Sequence, residues 1–470
     1  MMTNSPSAED IAAVSQTALN SIWSLSGLPE TAISNIELNA VPLTLPSSFH
    51  VAAMATSTIA AAALAASELW RLRSGETQKV TVSSRHAEAE FLSDQLMRID
   101  DGPERDIWGP IAGLYECGDG RWVRIHANYP HHERGTLSVL GCEATKQAVL
   151  QTLKTWKAEE FENACADKGL PTFMMRSPEE WAEHPQGKAL ENLPLLDLEQ
   201  IGDAPIEPLP TVGLQPLSGI TVLDLTRVIA GPVGGRTLAA HGAHVTRIAA
   251  EHLHRDTIAL EADAGRGKQS SFIDLRSNDG KTQLEEMVPN SDIFIQGYRP
   301  GTIDEKGFPP ERLAELRPGI VCASVSAWSH EGPWSARRGF DSLVQTASGI
   351  NVTEARAAGV ADPKPLPCQA LDYASGHLLA LGAMAGLYKR ATVGGSWRVR
   401  VALARTRHWL EKLGRIKNGF APTAPSNDEV ADLMTEIDSD YGKLLAVKYP
   451  AQLSLTPVPE NRAPTPYPYP

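Results

Sequence analysis

Residues 217–248 read LSGITVLDLTRVIAGPVGGRTLAAHGAHVTRI, and this stretch decides the fold class. Ile220–Thr226 is a short, nearly continuous apolar run, the pattern of a strand covered on both faces. Gly231-Pro232 breaks the run, Gly234 to Ala240 reads as the start of a helix, and HVTRIAA from His244 is a second strand. The alternation continues downstream. A helix over Lys281–Met287 leads to SDIFIQGY from Ser291, and a helix over Glu311–Leu316 leads to IVCASVSA from Ile320. Strands alternating with helices at these lengths predict βαβ units around a parallel sheet.

Upstream, residues 105–205 change character. GLYECGDGRWVRIHAN predicts a hairpin about Gly118-Asp119-Gly120. Amphipathic helices follow near Lys146–Ala166 and Pro178–Ala182, and Pro205, Pro208, Pro210 and Pro216 mark a linker. Patterning and composition together therefore give an α/β sheet domain preceded by an α+β region. Residues 1–40 alternate weak helical patterning with loops. From Pro42 to Ser67 there is no Asp, Glu, Lys or Arg, and the centre reads VAAMATSTIAAAALAAS. Its length suits a membrane span. Its Ala, Ser and Thr content, with Pro46 and His50, instead predicts a helix buried in a soluble core. A turn at Ser74-Gly75 and a strand over Lys79–Ser83 come next. The opening MMTNSPSAED has Glu9 and Asp10 but no basic segment ahead of an apolar run, so no signal peptide is expected. The tail, PENRAPTPYPYP over 459–470, is predicted to be extended and mobile.

A length of 470 residues suits two or three domains. The formal charge of -13 argues against a nucleic-acid partner, which needs a clustered basic face. Cys117, Cys142, Cys165, Cys322 and Cys368 form no C-x-x-C pair, so neither a metal site nor a disulfide framework is expected, and reduced thiols fit the cytosol.

Two stretches repeat one pattern. AMATSTIAAAALAASELWRLRSGETQKVTVSSR from Ala53 aligns without a gap to the segment from Asp372, DYASGHLLALGAMAGLYKRATVGGSWRVRVALAR, as far as Val82 and Val401. Each gives a small-residue helix, a basic end, a glycine turn and a V-x-V strand. The first copy has Ala53 where the second has Asp372. The mismatch suggests that one copy is active and the other a structural relic. Asp372 by position alone reads as a helix N-cap. A helix N-terminus also favours a charged carboxylate, which suits a nucleophile, so the two roles do not exclude each other.

The 217–248 stretch resembles the opening of family III CoA-transferases, the CaiB/BaiF group that includes formyl-CoA transferase and carnitine CoA-transferase. GRGKQSSFIDLRSNDGK (265–281), SDIFIQGYRPGTIDEKGF (291–308) and PGIVCASVSAWSHEGPWSARRGFDSLVQTASGI (318–350) resemble further blocks of that family in its order, ending with the Asp372 helix. GDGRWVRIHAN and RSPEEWAEHPQG resemble its small domain more loosely. The resemblance implies a Rossmann-like large domain with a mostly parallel sheet, a smaller α+β domain and usually an interlocked homodimer. It implies CoA transfer between an acyl-CoA and a carboxylic acid acceptor through an aspartyl mixed anhydride and an aspartyl-CoA thioester. No metal or tightly bound cofactor is expected, and neither a nucleic-acid nor a membrane partner. Asp372 stands at the family's nucleophile position, and CoA contacts are implied for Val228, Ala230, Ile273, Tyr298 and Arg338.

The chain also departs from the family. Ala249 and Ala250 stand where Glu-Arg is usual, the Arg touching CoA, with Arg247, His252, His254 and Arg255 as candidate substitutes. Glu305 stands where an arginine is frequent. The order of parts is unusual too. Residues 1–100 read as a degenerate partial copy of the catalytic region, 101–205 as the small domain, 206–415 as the Rossmann-like large domain and 416–470 as an extension. Such a chain is expected to assemble a compact unit from permuted pieces, without full interlocking. Two other functions compete. Racemases of acyl-CoA α-carbons share the fold, but they need an acid/base pair and carry His where this chain has Phe340, and His377 is a poor substitute by helical spacing. A CoA-binding scaffold whose catalytic copy has decayed is the third reading, and Asp372 weighs against it.

Overall fold

A computed structural model describes residues 7–100, 102, 108–211, 213–254 and 256–468. A seven-stranded sheet organises the second half of the chain. Its order is Lys268–Phe272, His244–Ala249, Thr221–Leu225, Ile293–Gln296, Val321–Ser326, Ser396–Ala402 and Asp197–Gly202. The first six run parallel, and by chain order they are 3-2-1-4-5-6, the doubly wound arrangement. The last, Asp197–Gly202, is an antiparallel edge drawn from the segment just before the prolines.

The expected strands are all present within a residue or two. The first helix differs. It spans Ala230–Ala240, so Gly231-Pro232 lies inside its first turn rather than breaking the chain before it. Proline is tolerated there because first-turn N–H groups have no intrahelical acceptor. The helix expected near Lys146–Ala166 is two, Lys146–Leu153 and Ala158–Asp167. Gly118 N–H donates to the Leu153 and Trp156 carbonyls, so the hairpin turn plugs the break. That hairpin pairs Gly113–Glu116 with Trp122–Ile125, and Thr172–Met174 adds a third strand. With three helices it encloses a core of its own around Val123, Phe161 and Cys165.

Residues 1–40 hold more order than their patterning suggests: Ala8–Ser26 is a 19-residue helix with a Ser7/Asp10 capping box. It packs on the alanine helix, Val51–Ser74, which is buried from Val51 to Leu69. That alanine helix is long and apolar enough to cross a membrane and is enclosed by protein instead. It also packs on the Asp372 helix, Ala370–Thr392, so the two stretches related by the sequence repeat lie against each other. The chain's two ends interweave. Val80–Ser83 pairs with Ile36–Asn39 and with Ala451–Leu453, and Arg98–Ile99 joins the hairpin Met434–Ser439/Gly442–Val447. One apolar core runs from Ala18 to Leu453.

The tail corrects the expectation of a mobile end. Pro464 bridges to Arg266, Thr465 N–H donates to the Lys268 carbonyl, and the Tyr467 ring stacks on Phe272 at 5.3 Å. It covers the outer edge of the sheet, which would otherwise expose unpaired backbone groups.

Candidate active site

Open parallel sheets bind ligands beyond the carboxyl ends of their strands, where the strand order reverses. Here that point lies between Leu225 and Gln296. The turn after Leu225 is strained: Val228 has φ 69°, a left-handed conformation that a β-branched residue rarely adopts. Such strain costs about 1–3 kcal/mol and gathers at functional sites. Beneath it lies a buried ion pair. Lys268 Nζ sits 2.8 Å from Asp224 Oδ2 and donates to the Pro232 carbonyl. Burial pulls the ammonium down to about 8, against the opposing pull of Asp224. The pair ties the first and third strands together below the turn.

Over this point opens a cavity of about 1030 Å³. Val228, Ala230, Tyr298, Arg338 and Asp372, all singled out in the sequence, line it together. Ile273 does not join them; it packs in the apolar core with Leu223 and Phe294. Arg338 donates to the Gly169 carbonyl at 2.5 Å, so the small domain holds it in place. The rim adds His131, Arg227 and Arg299, which the sequence reading had not marked. Arg227 pairs with Asp256 at 3.1 Å and lies over the Tyr129 ring. Of the candidate substitutes at Ala249 and Ala250, His252 and His254 reach the large cavity. Arg247 is spent elsewhere, on Ser270 Oγ and on the Glu261 and Thr465 carbonyls. Arg255 lies outside the described residues. Glu305 is exposed in a short 3-10 turn.

Asp372 is the third residue of its helix, not the cap. The capping is done by Asp341, whose Oδ2 accepts the Asp372 N–H at 2.9 Å. Gln345 Nε2 holds the other Asp341 oxygen at 2.5 Å. Among the described residues no donor engages the Asp372 carboxylate, which is thereby left to the cavity. Asp341 thus takes the capping role that position alone suggested for Asp372.

The carboxylate sits in unfavourable surroundings for a charge. Burial, then Asp341, then Asp94 push Asp372 well above the usual carboxylate range. Asp341 is itself pushed up to about 6 and Asp94 to about 7, chiefly by burial. Asp94 comes from the N-terminal part of the chain and accepts the Tyr373 hydroxyl at 3.0 Å. A second cavity, of about 450 Å³, opens on the small-domain side of Asp372 and also touches Asp341. His126 lines it, its ring stacked on Phe340 at 3.7 Å. His377 is buried deeper in its helix, beside Thr237 and Phe91. Among the described residues no cluster of His, Cys, Asp or Glu could hold a metal ion.

Comparison with known proteins follows the same lines. The model of CoA-transferase family III matches residues 21–211 and 217–432. An acyl-CoA transferase of Gibberella moniliformis is 28% identical over 367 residues, covering 71% of this chain and 64% of that protein. A formyl-CoA:oxalate CoA-transferase of Streptomyces coelicolor is 32% identical over 213 residues, covering 43% of this chain and 50% of that protein. The chain thus spans less than two thirds of the length of these relatives. A crystal structure of a Mycobacterium tuberculosis protein aligns at 30% identity with a TM-score of 0.40, covering 42% of this chain and 57% of that one.

Proposed function

The chain belongs to CoA-transferase family III, and on that premise we propose that it moves CoA from an acyl-CoA to a carboxylic acid, with Asp372 as the nucleophile. The observation that carries this reading is a carboxylate with no hydrogen-bond donor among the described residues, set where a cavity of about 1030 Å³ meets one of about 450 Å³. The Asp372 carboxylate attacks the thioester carbonyl; the C–S bond breaks, CoA thiolate leaves and a mixed anhydride remains. The thiolate then attacks the aspartyl carbonyl, releasing the donor's carboxylate and leaving an aspartyl-CoA thioester. The acceptor carboxylate attacks that thioester to give a second anhydride. The expelled thiolate takes the acceptor's acyl carbon, and Asp372 is regenerated. Covalent catalysis of this kind divides one difficult transfer into easier steps.

Each residue contributes to a part of this. Arg299 and Arg338 give the large cavity a cationic rim that suits the phosphates of CoA, and His131 and His254 line it beside them. Asp341 fixes the start of the helix so that the nucleophile is presented without being consumed as a cap. Burial keeps Asp372 poorly solvated, and a poorly solvated carboxylate is a stronger nucleophile once ionised.

Asp372→Ala is expected to lower transfer by at least about a thousandfold, about 4 kcal/mol, while thermal unfolding changes little. The direct readout is mass spectrometry after incubation with acyl-CoA and hydroxylamine, where a hydroxamate is expected at residue 372. Substantial turnover in the alanine variant sinks the assignment. The chain is further proposed to work as a unit folded from two partial copies. Light scattering showing a dimer that persists until unfolding would count against that.

A further inference from the structure

We propose, building on the transfer reading above, that the acyl group handled at Asp372 is an uncharged apolar or aromatic chain longer than acetyl, and that the 450 Å³ cavity on the small-domain side is its pocket. The two cavities meeting at Asp372 differ in chemistry. The larger has arginines and histidines along its rim. The smaller is walled by Trp108, Ile229, Ile258, Leu260 and Phe340. Among the described residues no lysine or arginine lines it, whereas three carboxylates do: Asp256, Asp341 and Asp372.

That lining selects by charge and by size. A dicarboxylic substrate would bring its free carboxylate into a space whose lining already holds three, Asp256 being paired with Arg227 and no further cation among the described lining residues being there to pair the newcomer. A formyl or acetyl group would touch few of the apolar walls. A chain of several carbons, or an aryl ring, would lie along the aromatic wall that Trp108 forms with the stacked His126 and Phe340 rings. His126 stacks on Phe340 with the two rings near parallel, and its buried Nδ1 has no partner among the described residues. Burial and the nearby Arg124 depress the imidazole to about 3, so it is neutral and adds no cation to the pocket. Ligand pockets of this volume with mostly apolar walls and a few polar groups bind by exclusion of water.

The test uses the full chain and unreactive thioethers, so binding is read without turnover. Calorimetry compares CoA, S-ethyl-CoA, S-hexyl-CoA and S-(5-carboxypentyl)-CoA. Each buried methylene is worth about fourfold in affinity, so S-hexyl-CoA is expected to bind at least about tenfold tighter than S-ethyl-CoA. The carboxypentyl compound is expected to bind at least about tenfold weaker than the hexyl one. Trp108→Ala should shrink the hexyl preference; if that variant does not fold, Phe340→Leu replaces it. Equal affinity for all four compounds, or tighter binding of the carboxylated chain, overturns the substrate class and leaves the CoA site standing. No binding of any compound, CoA included, overturns the transfer reading and the substrate class with it.

Discussion

The alanine helix and the Asp372 helix start alike in sequence and lie against each other in the fold, yet their first turns do opposite things. At the Asp372 end, Asp341 caps the helix and the third residue faces a cavity. At the alanine end no side chain caps the helix, and Ala53 is 1% exposed. Its approach is sealed. Ser48 gives its N–H and hydroxyl to Glu354, the Arg415 guanidinium lies 3.5 Å over the Phe49 ring, and Ile416 N–H bonds the Ser48 carbonyl. The same helix start faces a cavity or becomes a packing element according to what covers it. The sealed copy is not inert. Its following segment supplies Asp94, whose charge acts on Asp372, and Glu90, which is buried against Arg236 beneath the sheet domain.

Exchanging the two starts tests this most sharply. Placing the carboxylate in the sealed copy, Ala53→Asp, should destabilise the protein by about 3 kcal/mol or more, because a buried charge is left without a cation. It should restore no turnover to Asp372→Ala. Urea denaturation and a transfer assay on the double variant check both statements. A stable, active double variant would show that helix sequence, not its cover, makes the site.

A smaller effect is expected where the Asp372 helix meets Ala230–Ala240. The Asp372 helix carries Gly376 at that contact; a Cβ there would lie 2.5 Å from the Ala230 carbonyl oxygen and 2.7 Å from Val233 Cβ. Gly376→Ala should gain helix propensity but force the helices apart, for a net loss of about 1–3 kcal/mol. Because Ala230 lines the cavity, KM for acyl-CoA should rise as well. An alanine variant of unchanged stability and KM would mean that this close approach is not needed. The alanine helix makes its own contacts without a single glycine between Val51 and Ser74.

Much of this was legible in the sequence because the signals are local. The apolar run at Ile220–Thr226 and its successors fix strands, and their alternation with helices fixes the parallel order. Asp372 stands out because its counterpart is alanine. What stayed hidden depends on long-range pairing. Nothing near Ala451–Leu453 says that it pairs with Val80–Ser83, nor that Tyr467 will stack on Phe272. Asp341 stands beside Phe340 in the sequence, but its capping of the helix at Asp372, 31 residues later, is a tertiary contact that no local pattern marks. His126 directly follows the short strand Trp122–Ile125, where nothing in the sequence distinguishes a cavity-lining side chain from one in a core. Ile273 is the reverse case: a residue just past a strand end, implied as a contact, packs with Leu223 and Phe294 and does not line the cavity.

The last test isolates what the sealed copy still contributes. Three carboxylates, on Asp94, Asp341 and Asp372, share one buried region, and all are held above their ordinary values. A carboxyl whose folded value is raised stabilises the protein fully below the unfolded value of about 4, and that stability is lost as pH rises through the folded value. Asp341 at about 6 and Asp94 at about 7 place that loss across the weakly acidic to neutral range. On the proposed mechanism turnover runs the other way, since attack would need ionised Asp372, so the rate should climb over the range where stability falls. Asp94→Asn keeps an oxygen to accept the Tyr373 hydroxyl but removes one charge. The acid limb of the kcat/KM profile should then move to lower pH by up to about one unit, worth about 1.4 kcal/mol. Stability should also decline less between pH 5 and pH 8 than in the parent protein. A purely structural Asp94 would change unfolding alone and leave the acid limb where it was, and that result would reduce the N-terminal copy to a scaffold.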